Sequence, residues 1–81
     1  MEKDNEKEAN GFQQRLAEAC INSEKITVVF LYPNSPKITV RKGNVLKVTT
    51  DSFDFQDRYE GLMTFAYDFI IEINEWNDYG N

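Results

Sequence analysis

Ile26-Thr-Val-Val-Phe-Leu-Tyr32 opens a run of short β-type segments that continues to Ile73 with almost no room between them. Pro33-Asn-Ser-Pro36 follows as a turn, because two prolines fix two φ angles. Next come Lys37 to Thr50 around Gly43, Phe53 to Asp57, Leu62 to Tyr67, and Ile70 to Ile73. Ile26 to Tyr32 is β-branched and aromatic on both parities, as expected of a strand covered on both faces. Five closely spaced strands in so short a stretch predict a small, strongly bent antiparallel barrel.

The second strand carries the bend. Ile38, Val40, Leu46 and Val48 share one parity and are expected to face the core. Lys37, Thr39, Arg41, Lys47 and Thr49 share the other, which reads as a basic outer face. Gly43 in mid-strand costs stability unless a bulge or sharp bend needs it. Asp51-Ser52 and Tyr59-Glu-Gly61 read as turns, and Asp68-Phe69 leaves room for a single 3₁₀ turn.

One helix precedes the strands. Asn10 can cap it and Gln13 stands where a capping box wants Glu or Gln. Phe12, Leu16, Ala19 and Cys20 then recur on one helical face, and Asn22-Ser23 ends the pattern. Residues 1–9 are polar and charged and read as a disordered tail. Residues 10–75 form the single domain and 76–81 a polar C-terminal tail carrying Trp76 and Tyr79.

With 81 residues, one cysteine and no histidine, the chain has neither a disulfide nor a tetrahedral metal site to staple it. No cofactor is expected. Oligomerisation is the natural extra source of stability for so small a core. No apolar run approaches a membrane span, the charged N-terminal residues lack the apolar core of a signal peptide, and a lone thiol suits a reducing compartment. A cytoplasmic protein is the expectation. The absence of histidine removes Ser-His and Cys-His pairs, and no phosphate-cradling glycine motif is present, so an enzyme is not expected. Asp51, Asp54 and Asp57 flank a strand rather than a calcium loop and read as solvated acids.

The net charge of −5 is unevenly placed. Residues 1–24 carry six acids and three bases. Residues 25–50 carry Lys25, Lys37, Arg41, Lys42 and Lys47 and no acid, whereas 51–81 carry eight acids against Arg58.

The order of a helix and a bent five-stranded barrel resembles the Sm-like family and its Hfq branch over residues 12–73. Phe12-Gln-Gln-Arg-Leu16 resembles the end of the family's helix, and Ile26-Thr-Val-Val-Phe-Leu31 its first strand. Gly43-Asn-Val45 resembles the bent second strand. Phe65-Ala-Tyr67 and Phe69-Ile-Ile71 resemble the segment leading into the last strand. The resemblance implies a homo-oligomeric ring, with the fourth strand of one protomer paired to the fifth of the next, that binds single-stranded RNA. The family's lysine-histidine pair falls on Asp68-Phe69, and its basic rim falls near Ala17 to Cys20, which has no positive charge.

Three readings of function therefore stay open, the third being a structural subunit of a larger assembly with no ligand of its own. In the first, Lys37, Arg41, Lys42 and Lys47 hold phosphates, with Tyr67 and Phe69 lining the region between subunits and Tyr32 a nearby stacking platform. In the second, an acidic protein-interaction module engages a basic protein partner through Asp54, Asp57, Glu60 and Trp76. The segment Leu16 to Cys20 and the acidic balance loosely resemble the Rof-like regulators, acidic Sm-like proteins that bind protein rather than RNA.

Overall fold

The computed structural model describes the backbone of residues 2–75 and the side chains of residues 11–75. Helix α1 runs Glu2–Asn22, then β1 Lys25–Phe30, β2 Thr39–Val48, β3 Ser52–Asp57, β4 Gly61–Ala66 and β5 Ile70–Glu75. The strands form one antiparallel sheet in the order β4-β3-β2-β1-β5. The helix starts eight residues before Asn10, through the stretch given above to a tail. Glu, Lys and Ala dominate that stretch, and all three favour helix. No described helix is long and apolar enough to cross a membrane.

The sheet curls on itself. Phe30 on β1 and Phe65 on β4 have ring centroids 4.8 Å apart, although three strand spacings in a flat sheet amount to about 14 Å. Strand β2 makes this possible by serving two ladders. Its first half pairs with β1, from Phe30↔Thr39 to Lys25↔Asn44. Its second half pairs with β3, from Gly43↔Asp57 to Val48↔Phe53. Gly43 lies in both ladders, and a Cβ there would stand 1.9 Å from the Gln56 carbonyl oxygen. Only glycine lets the two backbones approach this closely.

Leu16 and Ala19 of α1 close the curl by packing on Ile26, Val28, Phe30, Val45, Phe53, Phe55 and Ile70, all buried. Phe12 and Cys20 pack against the edge of this cluster. The helix ends in a Schellman motif: the Glu24 amide donates to the Ala19 carbonyl and the Ser23 amide to the Cys20 carbonyl. Ser23 has φ 55°, the left-handed conformation that the motif requires. At the β3–β4 turn the buried Asp57 carboxylate accepts the Tyr59 and Glu60 amides, both at 2.9 Å, and Gly61 takes φ 82°.

The facing of β2 corrects the parity read from the sequence. Ile38, Val40 and Leu46 are exposed, by 56%, 47% and 50%. Arg41 and Val45 turn inward instead, with Arg41 opposite Val28 and Val45 opposite Phe55. A bulge between Val45 and Lys47 slips the register by one residue, so the inward phase of Val48 does not extend back to Leu46, Val40 and Ile38. After it Lys47 is exposed and Val48 packs on the core. A one-residue slip moves every later side chain to the other face, so no single parity describes the whole strand.

Candidate interaction surface

The four cations expected to hold phosphates do not share one face. Lys37 is exposed in the β1–β2 connection, Lys42 is half-buried on β2, and exposed Lys47 lies opposite Asp54 of β3. Arg41 is the exception, because it points into the curl of the sheet. Its guanidinium is 3.8 Å from the Asp57 carboxylate and 6.0 Å from the centre of the Phe65 ring. Its Nε is buried with no hydrogen-bond partner among the described residues. The expected outer facing of Arg41 is therefore corrected: its guanidinium lies beside a buried carboxylate.

Tyr67 and Phe69 also part company. The Tyr67 ring stacks on Phe53 at 5.6 Å and 17°. Its hydroxyl proton is shared between the Thr49 carbonyl and the Ser52 carbonyl, the latter at 2.7 Å. Tyr67 thus ties the end of β4 to the β2–β3 turn. Burial pushes its pKa above the ordinary tyrosine value, against the opposing pull of the Thr49 hydrogen bond. Phe69 instead leans on Tyr32 at 5.2 Å and 52°. These two rings, with Leu31, Pro33, Ser35 and Pro36, line a groove of about 520 Å³, and the Lys37 backbone is hydrogen-bonded to Ser35 of that lining.

The acidic set is dispersed as well. Asp57 is buried and occupied by its own turn and by Arg41, so it is not a surface for a partner. Asp54 accepts the Thr64 hydroxyl at 2.7 Å. Glu60 is exposed at the turn, and Trp76 lies outside the described residues.

What the sheet leaves available is its pair of edges. Among the described residues, β4 and β5 each have a partner on one side only, since the order ends at both. Each is six residues long. Between Gly61 and Ala66 no residue is charged, and Leu62 is 67% exposed. Ile71 on β5 is 50% exposed. Beside β5 a second groove, of about 590 Å³, runs under α1 and is lined by Gly11, Phe12, Arg15, Ile70, Ile71 and Ile73. Arg15 at its rim holds Glu24 at 3.0 Å and lies 4.0 Å from Glu18. The hydrogen bond from Arg15, aided by Asn22, lowers the Glu24 pKa.

No protein-family model matches the chain, and no curated protein or solved structure matches it. Function therefore rests on the geometry. Sequence reasoning missed Phe12, Leu62, Met63 and Ile71 as surface features. The available signal was the uncharged stretch from Gly61 to Tyr67, which lacks the Lys or Pro that usually protects an edge.

Proposed function

We propose that the protein is a homo-oligomeric, Sm-like binding module in the cytoplasm whose protomers associate by pairing β4 of one with β5 of the next. The observation that carries this reading is the pair of unpaired, equal-length edges flanking one curled sheet. Unprotected edges expose rows of amide and carbonyl groups that a second strand satisfies. A core this small also gains stability from association.

The ligand that suits the remaining surface is single-stranded RNA. The Tyr32–Phe69 groove offers a base two aromatic rings, and the exposed Lys37, next in the chain to its lining Pro36, is the nearest cation in sequence for a phosphate. Lys42 and Lys47 extend the basic stretch along β2, while Arg41 faces inward beside Asp57 and Tyr67 braces the β2–β3 turn. The test is anisotropy of a labelled single-stranded RNA at low salt. Phe69→Ala should weaken binding about tenfold, the loss of one stacked base at about 1–3 kcal/mol. Lys37→Glu with Lys42→Glu should weaken binding and flatten its salt dependence. Undetectable binding by the wild type would end the RNA reading.

A specific observation favours a second reading. Arg41 faces inward and Lys47 faces Asp54, so the basic stretch presents less positive charge than its sequence suggests. An acidic module engaging a basic protein through Glu60 and Asp54 accommodates that. Pull-down of nucleic-acid-free partners, lost on Glu60→Lys with Asp54→Asn, would select this reading over RNA.

A further inference from the structure

We infer that the edge-paired assembly has one register, fixed by Arg41 of one copy meeting Glu75 of a second copy. This rests on the edge-paired reading above and specifies its interface. On β4, Met63 and Phe65 face inward opposite Phe55 and Phe53, and Leu62, Thr64 and Ala66 are exposed. On β5, Ile71 and Ile73 line the groove under α1. Glu75 lies opposite the buried Ile26 and so faces the same inward side, yet it is exposed.

Antiparallel pairing from the Gly61 end sets Gly61 against Glu75 and Met63 against Ile73, ahead of the irregularity that β5 carries at Ile71. All five strands already pair antiparallel, and the antiparallel ladder is the slightly more stable one. In this register Met63 of one copy meets Ile73 at the groove of about 590 Å³ beside Phe12 of the next, while Phe65 stays packed on Phe30 and Phe53 of its own copy. Gly61 has no side chain, and the space where its Cβ would be is open. Glu75 of the second copy therefore passes over Gly61 to the neighbourhood of Asp57, Gly61's partner on β3. Arg41 waits there, 27% exposed, too far from Asp57 for a hydrogen bond and with an unsatisfied Nε. One guanidinium carries five donors in a planar fork and can serve two carboxylates. A parallel arrangement would carry Glu75 to the opposite end of β4, away from Arg41. Charge complementarity thus selects the antiparallel register.

The test combines mass and cross-linking. Glu75→Lys alters an exposed side chain and should leave the melting curve of the dilute protein unchanged. It should reduce the light-scattering mass from that of the assembly to that of a single chain. In a Cys20→Ser background, Met63→Cys with Ile73→Cys should give a ladder of covalent multimers on oxidation. Met63→Cys with Asn74→Cys, on opposite faces, should give none. A wild type that assembles while Glu75→Lys keeps its full mass, or a ladder from the 63/74 pair alone, would overturn the register and leave edge pairing standing. A monomeric wild type would remove the edge-paired reading and the register with it.

Discussion

Gly43 and Tyr67 show how much of this fold depends on single positions. At Gly43 the obstacle to any side chain is backbone, the Gln56 carbonyl, which cannot rotate away. Gly43→Ala should therefore cost about 3 kcal/mol or more, at the upper end of overpacking, and a urea titration should show the loss. Tyr67→Phe keeps the stacked ring and deletes the bond to the β2–β3 turn, at a cost of about 1 kcal/mol. The pH dependence has a definite sign. A tyrosine whose folded pKa is raised stabilises the fold below its ordinary value near 10.0, and that contribution is lost as pH rises beyond it. The wild type should lose stability above that pH by more than Tyr67→Phe does, which paired alkaline melts would measure. Glycine in mid-strand was legible as a bend because nothing else explains its cost there. The role of Tyr67 was not, since a tyrosine near a strand end reads equally as ligand platform or as brace.

At the scale of elements, helix α1 ends with a serine where glycine is the usual residue. Ser23 bears the steric cost of φ 55°, and glycine would not. Ser23→Gly should stabilise the protein by about 1 kcal/mol, or raise Tm by about 4–8 °C for a domain of this size. Differential scanning calorimetry would register it. The helical stripe Phe12, Leu16, Ala19 and Cys20 was readable because its period survives burial: all four pack in or against the core. The start of α1 was not, since a polar stretch with good propensity carries no apolar period to mark it. Strand β2 failed for the opposite reason. Its period is real on either side of Leu46, but the bulge between Val45 and Lys47 breaks its phase. A bulge is set by the partner strand, and β3 is not visible in the local sequence of β2. Reading the phase of Val48 back across that slip placed Arg41 on the outer face, whereas it lies opposite the buried Val28.

The whole molecule is a helix closing one end of a sheet that curls but does not pair its two outer strands. Its class and element order followed from strand spacing and from Gly43, both local signals. Its candidate surfaces did not, because a surface is built from residues distant in sequence. The Tyr32–Phe69 groove and the groove beside Phe12 each join segments separated by more than thirty residues. The central claim is that the open edges of β4 and β5 join copies of this chain. The most direct test is the absolute mass of the purified protein by light scattering, with absorbance at 260 and 280 nm recorded across the same peak. The account predicts a discrete multimer that Glu75→Lys dissociates. Nucleic acid on that peak, removable by nuclease, would add support for the RNA reading. A monomer at every concentration, free of nucleic acid, would contradict the claim.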